Sequence, residues 1–384
     1  GDVRSTLAGN LGDIWDIVFL PENRYVAAAS ETEIRLYDLR EGQVVDQFAD
    51  LNSRTFEVDL SPDGRLGLSG TADGDVTIWD MNTGEPVQQL YDEQQIMAVT
   101  FSPDGHKALT GAGYLFGEKL ESGHVILWDV ESGEEIRRFD GHPYAVLDVE
   151  FSSDGKLAVS SGAGPMVILW EVETGQELWR FYDYFVNKPY PNYSFWDVEF
   201  SPDGQTILAA HADGPIRILD VYTGQEIDQL LGHKDGMPGV VYSADGQKAA
   251  SGGWDGKAII WDVPNRSIIH RLTNHVSAVG QFRFSPDSQH LLGGSTDGTA
   301  SLWDVETGKA VRRYNPGGFV RVPDFYPDGE HAFVGMQGGR LEIWRIDSTL
   351  EELLTWTKAN RYIPDLACAQ RELYGIEPLC EDVE

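Results

Sequence analysis

Cysteine is nearly missing from these 384 residues: Cys368 and Cys380 are the two present, both in the last stretch. The nine His are scattered and lie apart from them, so no zinc constellation can be assembled. Basic residues are scarce as well. Against 62 Asp+Glu stand 29 Lys+Arg, a formal net charge of −33. Such a surface repels phosphate backbones, which weighs against nucleic acid and anionic membrane surfaces as partners. No apolar run approaches the length of a membrane span, so no membrane insertion is expected. A Gly-rich phosphate loop and an EF-hand run of spaced carboxylates are both missing, and no cofactor or metal is expected. The chain opens on Gly1 rather than Met, so the want of a signal peptide carries no information on location.

What is abundant is turn chemistry, with 42 Gly and 18 Pro. The phrase SPDG stands at 61–64, 102–105 and 201–204, with the variants SSDG at 152–155, SADG at 243–246, SPDS at 285–288 and YPDG at 326–329. Each follows an alternating apolar run such as VLDVEF at 146–151, the mark of a half-buried strand. Pro presets φ and Gly accepts the left-handed position, so each phrase predicts a hairpin turn.

A second phrase closes another strand at Tyr37-Asp38, Trp79-Asp80, Trp128-Asp129, Trp170-Glu171, Leu219-Asp220, Trp261-Asp262, Trp303-Asp304 and Trp344-Arg345. Successive spacings are 42, 49, 42, 49, 42, 42 and 41 residues. A third mark follows it, as in ESG at 131–133 and ETG at 306–308, again a hairpin turn. One period therefore holds four short strands, a unit that cannot bury both faces alone and must stack on copies of itself.

The GH, SPDG, DG and WD phrases together resemble the WD-repeat (WD40) family over residues 3–346. The resemblance implies an all-β propeller, with four-stranded blades around a channel. Eight WD-like phrases imply eight blades; seven, with a degenerate first repeat, is the alternative. Val3 to Leu7 is expected to complete the last blade and close the ring, removing exposed sheet edges. Residues 1–347 are expected to form the propeller and residues 348–384 a helical tail packed on it.

His233, Ser251 and Asp255 are the three residue types of a hydrolase. The resemblance assigns them, with Trp261, to the family's structural His–Ser/Thr–Asp–Trp tetrad, which satisfies buried polar groups between strands. Other repeats keep fragments. His275, Asp297 and Trp303 recur with Gly293 in the serine's place, while His142, Ser160 and Trp170 recur with Gly164 for Asp. Ser69, Asp73 and Trp79 recur with Leu51 for His.

The family's rule puts loops entering each first strand on the same face as loops between strands two and three. Two repeats are seven residues longer than their neighbours, around 113–119 and around 181–193. The rule sets both on that face, where Tyr114, Phe116, Tyr184, Phe185 and Tyr190 supply aromatics for an interface. The alternative is that the second loop folds down as a satellite apolar cluster. The same face is expected to present Trp15, Arg54, Phe56, Met97, Trp196, Trp254, Phe319 and Arg321, which resemble a peptide-binding mouth. Several of these, Trp15 and Trp196 above all, are equally suited to plugging the channel.

In the tail, Ser348 and Glu351 form a capping box ahead of Leu350, Leu353, Leu354 and Trp356. A bridge between Cys368 and Cys380 would clamp the end by about 3 kcal/mol, and buried reduced thiols are the alternative. With the bridge the chain is extracytoplasmic; without it, cytoplasmic. The tail is similar to extensions of WD-repeat domains in some bacterial multidomain signalling proteins. The functional expectation is a non-catalytic scaffold for a protein or peptide, monomeric, in a larger signalling protein. The alternative is a propeller binding a small molecule or metal in its mouth, with hydrolase-like activity. Convergent carboxylates or histidines on the channel face would favour that alternative; the positions carried over to that face are aromatic.

Overall fold

The computed structural model describes residues 3–7, 14–20, 25–30, 33–38, 43–50, 53–81, 83–114, 122–183, 194–234, 236, 239–315, 319–325, 329, 331–336 and 340–346. The side chains of 3–7, Trp15, 43–50, Arg321 and several residues of 322–345 are outside that description. So are the expected tail helix and both cysteines. The chain divides into two units, Gly1–Arg345 and Ile346–Glu384.

Eight four-stranded antiparallel sheets make up the first unit. Seven run in chain order, over residues 14–50, 55–91, 96–140, 146–182, 195–230, 239–272 and 279–314, and are blades 1 to 7. Blade 8 takes three strands from residues 320–345 and its fourth from Val3–Leu7, which pairs antiparallel with Arg340–Arg345 through Leu7↔Leu341 and Thr6↔Glu342. The chain's start thus fills the outer position of its last blade, and the inner strand of blade 8 lies beside that of blade 1. That closes the ring and leaves the blades stacked on both sides.

The recurrent phrases have local physical causes. In blade 3, Ser102 Oγ donates to Asp104 at 2.6 Å and accepts the Lys107 N–H at 2.9 Å, locking the hairpin that Gly105 turns at φ 73°. Acids of the WD phrases cap the turns that follow: Asp129 accepts the Ser132 N–H and hydroxyl at 2.8 Å, and Asp304 accepts those of Thr307 at 2.7 and 2.6 Å. Between blades the packing is apolar. Leu68, Val76 and Ile78 of blade 2 join Ile96, Val99 and Phe101 of blade 3 in one buried cluster, a pattern repeated between later neighbours. Contact is close enough that a Cβ on Gly111 would lie 2.7 Å from Val146 Cγ1 of the next blade.

Inner strands carry a further regularity. Register slips by one residue near their start, between Thr55 and Glu57, Ile96 and Ala98, Val146 and Asp148, and Phe195 and Asp197. Each slip is a β-bulge, which leaves one residue unpaired and re-aims it. Those residues are Phe56, Met97, Leu147 and Trp196.

Candidate functional site

The loops before inner strands and those between second and third strands do share a face, because they hydrogen-bond each other. Ala72 N–H donates to Arg54 O at 2.8 Å, Gly113 to Gln95 at 2.9 Å and Trp254 to Gly236 at 3.0 Å. Both long repeats open on this face. One insertion lies between strands Lys107–Ala112 and His124–Asp129, the other between Glu177–Tyr182 and Phe195–Phe200. Of their aromatics Tyr114 is described, its hydroxyl donating to Glu93 O at 2.9 Å. Phe116, Tyr184, Phe185 and Tyr190 lie outside the described residues.

Beneath this face sits a cavity of about 840 Å³ at the ring's centre, lined from all eight blades. The bulge residues Phe56, Met97, Leu147 and Trp196 line it, with Trp254 and Phe319 at 47% and 44% exposure. Trp196 meets Trp254 edge-on at 5.9 Å and also packs with Met97, Tyr144 and Leu147 over Ala145 and Ala163. It is therefore part of a small satellite core as well as of the cavity wall. Its buried Nε1 has no hydrogen-bond partner among the described residues. Arg54 lies over the Phe56 ring, Cζ 6.0 Å from the centroid. Trp15 and Arg321 belong to the same bulge positions in blades 1 and 8, with side chains outside the description.

Below the aromatic layer carboxylates do converge on the channel, the feature expected to favour a small-molecule or metal site. Asp16, Glu57, Asp148, Glu150, Asp197 and Glu199 all line the cavity, with Arg283 the cation among them. Their immediate role is to cap the edge of the next blade. Asp16 accepts Val58 N–H at 3.1 Å, Glu57 accepts Val99 at 2.9 Å, and Asp59 accepts Phe101 at 2.7 Å. Asp148 and Glu150 accept Val198 and Phe200 at 2.8 and 2.7 Å, and Asp197 and Glu199 accept Val240 and Tyr242 at the same distances. An inner strand has no neighbour on its channel side, so its N–H groups need acceptors that the sheet cannot supply.

Burial pushes these acids up: Asp16 to about 7 against the opposing Val58 and Ile17 N–H groups, and Glu199 to about 8 with help from Asp197. Asp148 rises well above the carboxylate range through burial and the charge of Asp197, with which it shares a hydrogen bond. Burial would lower the Arg283 guanidinium, but Asp324, Asp16, Glu199 and Asp197 outweigh it and hold Arg283 up. The signal was present in the sequence as acidic residues at alternate positions of the inner strands, in Glu57-Val58-Asp59, Asp148-Val149-Glu150 and Asp197-Val198-Glu199. Their convergence needed the ring.

His233, Ser251, Asp255 and Trp261 do come together. Ser251 Oγ receives the Trp261 indole N–H at 2.7 Å and meets His233 Nε2 at 2.9 Å, while His233 Nδ1 lies 3.3 Å from Asp255. Ser251 is fully buried, so this hydroxyl is engaged and closed to substrate. Neighbouring blades vary the same network. Trp170 and His142 share Ser160 at 2.9 and 2.8 Å, and Trp79 donates to Ser69 at 2.9 Å. In blade 3 the acid and imidazole exchange places, His124 bonding Asp92 at 2.7 Å beside Arg138. In blade 5, Asp183, His211 and Asp213 cluster closely enough to suggest metal ligands. Arg217 already fills that role, bonding Asp183 and lying 3.6 Å from Asp213.

A repeating tetrad within blades closed by the chain's own start is a particular architecture, and a sequence-family model agrees with it. The model described as WD domain, G-beta repeat matches residues 1–38, 53–80, 133–171, 224–262 and 266–304. The chain belongs to the WD-repeat family. This WD-repeat chain is 27% identical over 164 residues to Autophagy-related protein 16 of Arabidopsis thaliana, covering 42% of the chain and 31% of that protein. It is 27% identical over 150 residues to Small ribosomal subunit protein RACK1 of Caenorhabditis elegans, covering 38% and 40%. The chain spans less than half the length of either relative. The fold is similar to the crystal structure of the computationally designed Ika8 protein, with a TM-score of 0.77 at 24% identity over 90% of this chain and 100% of that one. Among the described residues no helix is long and apolar enough to cross a membrane.

Proposed function

We propose that the propeller is a non-catalytic platform that binds a segment of a partner protein at the mouth of its channel, on the face carrying both insertions. The observation that carries this reading is the aromatic mouth. Trp254 and Phe319 stand half exposed over a cavity of about 840 Å³ in a protein whose surface is otherwise strongly acidic. Exposed aromatics converging on a cavity are what interfaces use for anchoring. A ring fixed by apolar contacts on both sides of each blade loses little freedom on binding. The occupied, buried Ser251 supports a non-catalytic role. We further read the chain as the sensor or docking part of a larger signalling protein, monomeric as a domain. Support lies in the tail's resemblance to extensions of such proteins and in Autophagy-related protein 16, whose match covers 42% of this chain but 31% of that longer protein.

The test is capture of partners on the chain and on the variant Trp254→Ala with Phe319→Ala and Arg321→Ala, matched for thermal stability. Each captured protein is then purified and its binding measured directly. A partner held by the parent and at least about tenfold more weakly by the variant supports the mouth. Equal binding by both moves the working surface away from it.

A further inference from the structure

We propose that the bound segment carries charge of both signs and lies across the mouth in one direction, its basic end over blades 2 and 3 and its acidic end over blades 6 and 7. The inference rests on the platform reading and adds the chemistry and orientation of the ligand.

The negative charge of the chain is not spread evenly around the ring. Residues 8–233, which build blades 1 to 5, hold 13 Lys+Arg against 40 Asp+Glu. Residues 234–345, which build blades 6 and 7 and most of blade 8, hold 12 of each. The seven channel acids that accept the next blade's N–H groups all fall in the first stretch. Without them it still holds 33 acids, so the imbalance belongs mainly to the surface.

The same division appears on the face that carries the insertions. Around blades 2 and 3 it exposes Asp73, Asp75, Glu93 and Asp140, and the base there, Arg54, lies over the Phe56 ring. Around blades 6 and 7 it exposes Lys234, Arg271 and Arg313, with Lys257 half-exposed. The acids beside them, Asp255 and Asp297, are turned into the His233 and His275 networks, with side chains 8% and 3% exposed. Outer-strand arginines show how the difference arises. Arg138 of blade 3 and Arg180 of blade 4 each pair with a glutamate three residues earlier, Glu135 and Glu177. Arg271 and Arg313 hold the same strand position in blades 6 and 7, where Ile268 and Ala310 replace the glutamates. Arg271 reaches the Gly232 carbonyl at 2.8 Å instead, and Arg313 the buried Asp297 at 3.2 Å.

Apolar anchors stand at the edge of the basic sector. Trp254, Val276 and Phe319, one each from blades 6, 7 and 8, are exposed, Val276 to 88%. Trp254 and Phe319 line the cavity, and Val276 lies two residues before Ala278, which also lines it. The loops carrying Trp254 and Val276 are tied together, Val279 N–H donating to Gly253 O at 3.1 Å. A segment whose apolar residues cover this strip meets acidic surface across the mouth and basic groups behind it. The reverse placement sets like charges together at both ends, and complementary fields of this kind fix register and direction.

The probes are three capped peptides with the same central Leu-Phe-Leu. One has two lysines at one end and two glutamates at the other, one has lysines at both ends, and one has glutamates at both. Each is titrated into the full chain at low salt and followed by the tryptophan indole N–H resonances. The bipolar peptide is expected to bind at least about tenfold more tightly than either uniform one, an advantage that shrinks as salt is raised to about 1 M. A nitroxide on its lysine end should broaden the Trp79 and Trp128 signals of blades 2 and 3. On its glutamate end it should broaden those of Trp261 and Trp303 in blades 6 and 7. In a variant combining Asp73→Lys, Glu93→Lys, Lys234→Glu and Lys257→Glu, the two patterns should exchange.

A uniform peptide that binds as tightly as the bipolar one, or broadening that does not depend on which end is labelled, overturns the orientation while leaving the platform standing. Binding of none of the three overturns it too, and the platform then stands or falls on its own captured partner.

Discussion

Glu199 of blade 5 accepts the backbone N–H of Tyr242 in blade 6 at 2.7 Å, one of a series of such links joining successive inner strands. Burial, with Asp197 adding to it, raises this carboxyl from its ordinary 4.5 to about 8. The folded state therefore binds a proton that the unfolded chain has released. Stability is greatest below the unfolded value and falls as pH rises from about 4.5 to 8. Glu199→Gln keeps an acceptor for Tyr242 and removes the charge. Unfolding in urea should show the variant about 1–2 kcal/mol more stable than the parent at pH 8, after allowing for solvent in the channel, and level with it near pH 4.5. A parent curve flat across that range would contradict the assignment.

Histidine sets the acid side. Burial lowers His142 to about 3, with Arg180 adding to the effect, and its Nε2 meets Ser160 Oγ at 2.8 Å. The unfolded imidazole takes a proton near 6.5, so the stability contributed by the neutral ring is complete above 6.5 and lost as pH falls toward 3. Replacing His142 by Gln should flatten the acid limb of the thermal-stability profile. With the channel acids acting in the opposite sense, the parent should be most stable at roughly pH 5–6.

Ser251→Ala removes the oxygen shared by Trp261 and His233 and strands two buried polar atoms. We expect a loss of about 2–3 kcal/mol in denaturant unfolding. Blade 7 already has this deficit. With Gly293 in the serine's place, Trp303 Nε1 and His275 Nε2 are both without partners among the described residues. Amide exchange should accordingly be faster in the strands of blade 7 than in those of blade 6.

Ser288 holds φ at 57°, the left-handed conformation that glycine adopts in the same turn of other blades. A Cβ is costly there, and Ser288→Gly should raise stability by about 0.5–1 kcal/mol, read as an increase in midpoint at unchanged urea m-value. The same exchange reversed at Gly204, where φ is 67° and a Cβ meets nothing within 4 Å, should cost a similar amount through the backbone alone.

The repeat was legible because its punctuation is local. Ser102, Asp104 and Gly105 satisfy one another within a few residues, and so do Asp129 and Ser132, so the letters of each turn are read directly. The tetrad was legible for a related reason: His233, Ser251, Asp255 and Trp261 keep fixed offsets within one blade. The channel acids were not. Glu57 and Asp148 sit in alternating strands where a polar residue at every second position ordinarily means a solvated face, and nothing in either strand says that this face turns inward.

By itself the sequence determined the four-stranded unit, its turns, and the need for copies to stack, since hairpin geometry and period-two burial act over a few residues. Tertiary structure alone decided what the ring encloses. Closing the blades on Val3–Leu7 brings inner strands from all eight together, and the bulges at Phe56, Met97, Leu147 and Trp196 turn side chains toward that centre. Charges distant in sequence then share one poorly solvated space. Their interaction depends on separation and dielectric, quantities that exist only once the chain is folded.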